Sequence, residues 1–63
     1  MKRSLKGIRV DLGLTQEDMA KAMGVSKVAW NKKEKGKVPL LAMELIRISD
    51  MSNVPMSEIE VLK

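Results

Sequence analysis

Apolar residues recur at helical spacing in short runs along this chain, and the breaks between runs fall at glycine, proline and asparagine. Leu5, Ile8 and Leu12 stand at i, i+3 and i+7, one face of a first helical segment from Lys2 to Leu12. Gly7 interrupts it at a cost of roughly 1 kcal/mol, and Gly13 is its stop. A second helix opens at Thr15, which can cap free backbone N–H groups, with Asp18 completing a shortened capping box. Met19, Ala20 and Met23 line its inner face, Glu17 and Lys21 form an i,i+4 pair, and Gly24 reads as a left-handed end. Ser26 is the N-cap of a third helix that runs to Lys35 and stops at Gly36. Pro39 suits the first turn of a fourth. There Leu41, Leu45 and Ile48 form the main stripe, widened by Ala42, Ile46 and Met51. Asn53 tolerates a left-handed conformation at the break that follows, and Pro55 opens the last segment. Beyond it two patterns coexist: Ile59 and Leu62 fit a helix, whereas Glu58-Ile59-Glu60-Val61 alternates like a strand. The pattern predicts a compact all-α domain of four to five short helices, residues 1–63.

One residue resists that pattern. Trp30, the only aromatic side chain, sits among five of the twelve basic residues, in VSKVAWNKKEKGK. On a helical wheel at about 100° per residue, Ser26, Lys27, Lys33 and Glu34 fall within roughly 60° of it. Val28, Asn31, Lys32 and Lys35 fall on the far side. The third helix therefore has an inward face anchored by tryptophan and an outward face of one valine, one amide and two cations. That outward face suits the DNA major groove. Lysines neutralise phosphates and release counterions, asparagine can bond an adenine edge twice, and valine can touch a thymine methyl. Lys27, in the first turn, is long enough to reach a guanine or a phosphate.

Charge distribution strengthens this reading. Residues 1–37 hold ten Lys/Arg against four Asp/Glu, and residues 38–63 hold two against four. A basic half suggests a polyanion partner. The absence of histidine, cysteine and tyrosine, and of a glycine-rich phosphate loop, argues against an enzyme and against a metal site. No cofactor and no small-molecule ligand is expected. The amino terminus is charged throughout and no stretch approaches the roughly 18 apolar residues of a membrane span, so the expected location is cytoplasmic.

The stretch TQEDMAKAMGVSKVAWNKKEKG, residues 15–36, resembles the helix-turn-helix of the phage repressor and Cro family, including the wider XRE-like regulators. The likeness is carried by Gln16 opening the motif, Met19 and Ala20, Met23, the turn Gly24, Val25, and the Glu34–Gly36 ending. IRVDLGLTQ ahead and VPLLAMELIRISDMSNVPMSEI behind extend it over nearly the whole chain. The resemblance implies a lambda-repressor-like fold and, position by position, a set of roles. Gln16 would contact a phosphate and brace the recognition helix. Ser26 would hold a phosphate at that helix's N-terminus. Lys27, Val28 and Asn31 would face base edges, with Lys32, Lys35 and Lys37 along the DNA backbone. Arg9 and Glu34 would form the structural ion pair of the family.

Two positions depart from the family. Lys33 stands where an apolar residue is usual, and Trp30 stands three residues earlier at a site that is usually isoleucine. The expectation is that Trp30 fills the space of two side chains while Lys33 lays its stem over the indole with its amine in water. Val28 is an unusual base reader.

The functional expectation is a sequence-specific, Cro-type or minimal-repressor regulator that binds a palindromic operator in double-stranded DNA as a homodimer, in a bacterial or phage-infected cell. Half-sites would lie roughly 34 Å apart. Dimer contacts are expected from residues 51–62, including Val54, Met56, Val61 and Leu62, with the strand-like EIEV pairing across the dimer. The competing reading is a protein-binding module of the same fold, antitoxin-like or coactivator-like, without specific DNA readout.

Overall fold

A computed structural model describes residues 2–61 of the chain. Four helices follow one another, α1 (Leu5–Asp11), α2 (Gln16–Met23), α3 (Lys27–Glu34) and α4 (Ala42–Ser52), and a 3-10 turn over Met56–Glu58 comes last. The fold is all-α, as the periodicity predicts.

Each helix begins where the sequence supplies an acceptor for its free N–H groups. Ser4 Oγ accepts from the Gly7 N–H at 3.0 Å, a cap that the apolar pattern does not disclose. A Cβ on Gly7 would stand 3.0 Å from that same oxygen. The glycine that weakens the helix interior therefore leaves room for its cap. At α2 the capping box is reciprocal: Thr15 Oγ1 accepts from Asp18 N–H and Asp18 Oδ2 accepts from Thr15 N–H, each at 3.0 Å. The Thr15 backbone N–H, and then its hydroxyl, hold the Asp18 carboxyl below the ordinary aspartate range. Ser26 Oγ accepts from Ala29 N–H at 3.1 Å, as expected.

The start of α4 is a correction. Pro39 does not lie in its first turn, because the helix opens three residues later at Ala42. The chain is still extended at Leu41, and the Glu44 carboxylate reaches back to accept the Leu41 N–H at 2.8 Å. Leu41 is consequently 60% exposed rather than part of the buried stripe, and Ile46 is 49% exposed. The face turned inward is Glu44, Leu45, Ile48 and Met51.

Gly24 closes α2 with φ of 71°, and Asn53 closes α4 with φ of 57°. An L side chain costs roughly 1–2 kcal/mol in this region, which is why these ends fall at glycine and asparagine.

Trp30, Ile8, Met19 and Ile48 are the largest fully buried side chains, and Leu5, Ala20, Met23, Val54 and Ile59 complete the cluster. Burying the indole alone removes about 150–250 Å² from water, worth roughly 4–6 kcal/mol at 25 cal/mol/Å². That one large group lets a chain of this size build a core around a single point.

The described part of the last segment, to Val61, is a 3-10 turn followed by extended backbone. After the 3-10 turn, Ile59 forms an isolated parallel bridge with Arg3 of the same chain. Arg3 N–H donates to Glu58 O at 2.6 Å, and Glu60 N–H donates to Arg3 O at 2.8 Å. Two backbone groups of the strand-like residues thus bond the chain's own amino-terminal segment.

Candidate nucleic-acid interface

The α2–turn–α3 unit is positioned by one buried carboxylate. Glu34, in the last turn of α3, accepts from Arg9 Nε of α1 at 2.7 Å, with 5% of the Glu34 and 11% of the Arg9 side chain exposed. Trp30 donates its indole N–H to the same oxygen. Arg9 also donates to Leu14 O at 2.9 Å, which ties the α1–α2 turn to the cluster. A buried tryptophan needs a partner for its N–H, and Glu34 is one turn away on the same face. The predicted ion pair and the predicted inward tryptophan are therefore one structure.

From Glu34 the network runs outward. Gln16 Nε2 donates to Glu34 Oε1 at 3.3 Å, and Asn31 Nδ2 donates to Gln16 Oε1 at 3.3 Å. Gln16, first residue of α2, braces α3 directly. Asn31 is half-buried and held by one of its two N–H groups, leaving the second N–H and Oδ1 for another partner.

The outward face is cationic. Lys27, Val28, Lys32, Lys35 and Lys37 are all exposed, Val28 by 64%. The four ion pairs of the described residues are Arg3–Asp11, Arg9–Glu34, Lys21–Glu17 and Lys33–Glu44. Lys27, Lys32, Lys35 and Lys37 thus have no carboxylate partner among the described residues. Ser26, also exposed, uses its oxygen as the α3 cap and keeps its hydroxyl hydrogen.

Lys33 overturns an expectation. Its amine is not in water: the residue is 7% exposed, and Nζ lies 2.5 Å from both oxygens of Glu44, itself 7% exposed. The pair gives the buried ammonium a counter-charge, and Trp30 stays fully buried. The sequence held a sign of this. Glu44 lies four residues before Ile48 and so within about 40° of it on the wheel, a carboxylate on an inward face.

The residues expected at a dimer edge separate. Val54 is packed into the chain's own core at 5% exposure. Met56 and Val61 are exposed, and Leu62 lies outside the described residues.

Among the described residues no group of His, Cys, Asp and Glu could hold a metal ion. No described helix is long and apolar enough to cross a membrane. No curated protein and no solved structure matches the chain. The sequence pattern of the helix-turn-helix domain family matches residues 3–62, a span that contains α1, α2, the Gly24 turn, α3 and α4. The chain belongs to the helix-turn-helix domain family, in keeping with its likeness to XRE-like regulators.

Proposed function

We propose that this DNA-binding domain is a sequence-specific transcriptional regulator of the Cro or minimal-repressor kind, reading an operator with α3. The observation that carries the reading is the Glu34–Gln16–Asn31 network. It fixes an asparagine amide at the edge of an unpaired lysine row. An asparagine with one N–H braced still offers an N–H and a carbonyl oxygen, the two groups that adenine N7 and N6 require. Lys27 and Val28 flank it toward the helix N-terminus, where recognition helices meet bases.

Ser26 and Gln16 take phosphates near the N-termini of α3 and α2, where free N–H groups favour anions. Lys32, Lys35 and Lys37 follow the DNA backbone. Few base contacts are available to one copy, so useful specificity calls for a homodimer on a palindrome. Its half-sites would be about one helical turn, roughly 34 Å, apart. Met56 and Val61 are the exposed apolar residues left at the carboxyl edge for that contact, with Leu62 beside them in sequence. Helix-turn-helix domains are typically non-enzymatic, and the action here is occupancy of a site inside a bacterial or phage-infected cell.

Selection of bound duplexes from a random pool, at about 0.15 M salt, tests this. Recovery of a palindrome with half-sites one turn apart is expected. A pool that stays random, with binding that fades as salt rises, reduces the lysines to a nonspecific patch and points to a protein partner.

A further inference from the structure

Lys33 and Glu44 close a ring. Lys33 lies in the last turn of α3, Glu44 lies in the first turn of α4, and between them runs the loop that carries Lys35 and Lys37. The first half of that loop is tied back to α3: Lys35 N–H to Asn31 O at 3.2 Å, Gly36 N–H to Lys33 O at 3.2 Å, and Lys37 N–H to Lys32 O at 2.9 Å. Beyond Lys37 the next hydrogen bond holding the loop, among the described residues, is Leu41 N–H to Glu44 Oε1 at 2.8 Å. That same oxygen takes Lys33 Nζ at 2.5 Å. One carboxylate therefore joins the end of α3 to the far end of the loop.

We propose that the Lys33–Glu44 pair is a positioning device for DNA-backbone contact: it holds the loop of residues 35–41 against α3 so that Lys35 and Lys37 meet phosphates. The proposal rests on the DNA-binding reading above. A buried ion pair is weak evidence for stability, because desolvation offsets much of the attraction and apolar residues of similar size often hold as well. What an apolar pair lacks is direction. Three short bonds converging on one carboxylate fix where the loop leaves α3 and where it enters α4. Lys33 itself makes no phosphate contact, since its amine is buried and fully engaged, although it belongs to the lysine cluster by sequence.

The test uses Lys33→Met/Glu44→Gln in the full chain. Methionine keeps the length of lysine, and glutamine keeps the acceptor for Leu41 N–H while the link to α3 is lost. Two quantities are read: the slope of log affinity against log salt on duplex DNA, and amide exchange of residues 36–41 without DNA. The expected result is a slope shallower by about 1–2, the loss of one or two phosphate contacts, with faster exchange in 36–41 and none in α2. In a Lys35→Ala/Lys37→Ala background the same change should leave the slope unaltered, and Lys33→Arg should preserve it in the parent.

An unchanged slope in a folded variant overturns the proposal. So does a slope change that persists in the Lys35→Ala/Lys37→Ala background, which makes Lys33 a direct phosphate contact. Should the variant fail to fold, Lys33→Met/Glu44→Leu is read in the same way. If the parent shows no salt-dependent binding, the DNA-binding reading falls. The exchange arm then decides alone, and unaltered exchange in 36–41 overturns the positioning role.

Discussion

Arg9 and Glu34, 25 residues apart in the chain, meet at 2.7 Å with little solvent at either side chain. The carboxylate also takes the Trp30 indole N–H and the Gln16 amide. A group shared this way couples the stability of α1, the depth of the tryptophan and the orientation of α3.

Breaking that pair should be costly. Arg9→Ala leaves Glu34 buried with one partner charge gone, and is expected to destabilise by about 3–5 kcal/mol. Arg9→Met/Glu34→Gln should recover much of that loss, because no unpaired charge remains. Urea unfolding followed by far-UV circular dichroism measures both. Equal destabilisation of single and double variants would contradict the coupling.

Trp30 is the sole fluorophore of its kind and is fully buried, so its emission should be blue-shifted in the folded chain and move red on unfolding. Trp30→Phe keeps most of the apolar contact but removes the N–H that Glu34 accepts. It should cost about 1.5–3 kcal/mol for the lost hydrogen bond to a carboxylate that Arg9 still holds, whereas Trp30→Ala should cost about 3–5 kcal/mol. Thermal melts would show whether the two fall in that order.

Asn31 and Lys35 separate selectivity from affinity. Asn31→Ala is expected to lose about 1–3 kcal/mol of discrimination at one base pair, with a stability loss of only about 0.5–1.5 kcal/mol for its hydrogen bond to Gln16. Lys35→Ala should weaken all duplexes alike and make the salt slope shallower by about 1. Competition binding against single-base variants of the selected site reads both effects. Uniform weakening by Asn31→Ala would remove it from the base-reading set.

Acid should loosen α2 through its capping box. The Asp18 carboxyl is held below its ordinary range by the Thr15 backbone N–H and then the Thr15 hydroxyl. A folded-state value lower than the unfolded one means that Asp18 contributes stability above the unfolded value. That contribution is lost as pH falls through the lowered, folded value. Asp18→Asn should therefore be less stable than the parent at pH 7, and the gap in melting temperature should close at strongly acid pH. A gap constant from pH 7 into strong acid would show that the charge plays no part.

Local order was legible in the chain itself. Thr15 with Asp18, Ser26, Gly24 and Asn53 announce helix ends because caps and left-handed turns depend on neighbours a few residues away. The inward tryptophan followed from periodicity alone, and Arg9 with Glu34 from a resemblance that covers those positions. Lys33, Leu41 and Val54 were not legible in the same way. A lysine beside an indole looks like a snorkelling side chain until a carboxylate eleven residues on is known to face it. Leu41 joins the α4 stripe by spacing and leaves it because Glu44 starts the helix after it. The EIEV alternation was a correct sign of extended backbone, yet its partner could not be read locally.

What the sequence by itself determined is therefore the all-α class, the ends of α2 and α3 and the two-faced character of α3, all properties of residues within about two turns of one another. Tertiary structure alone decided which buried charges meet, that Val54 joins this chain's core, and that Ile59 pairs with Arg3. Those outcomes depend on the distance between elements far apart in sequence. Burial makes such distances decisive, because a charge or an open backbone group removed from water must find its partner inside the same fold.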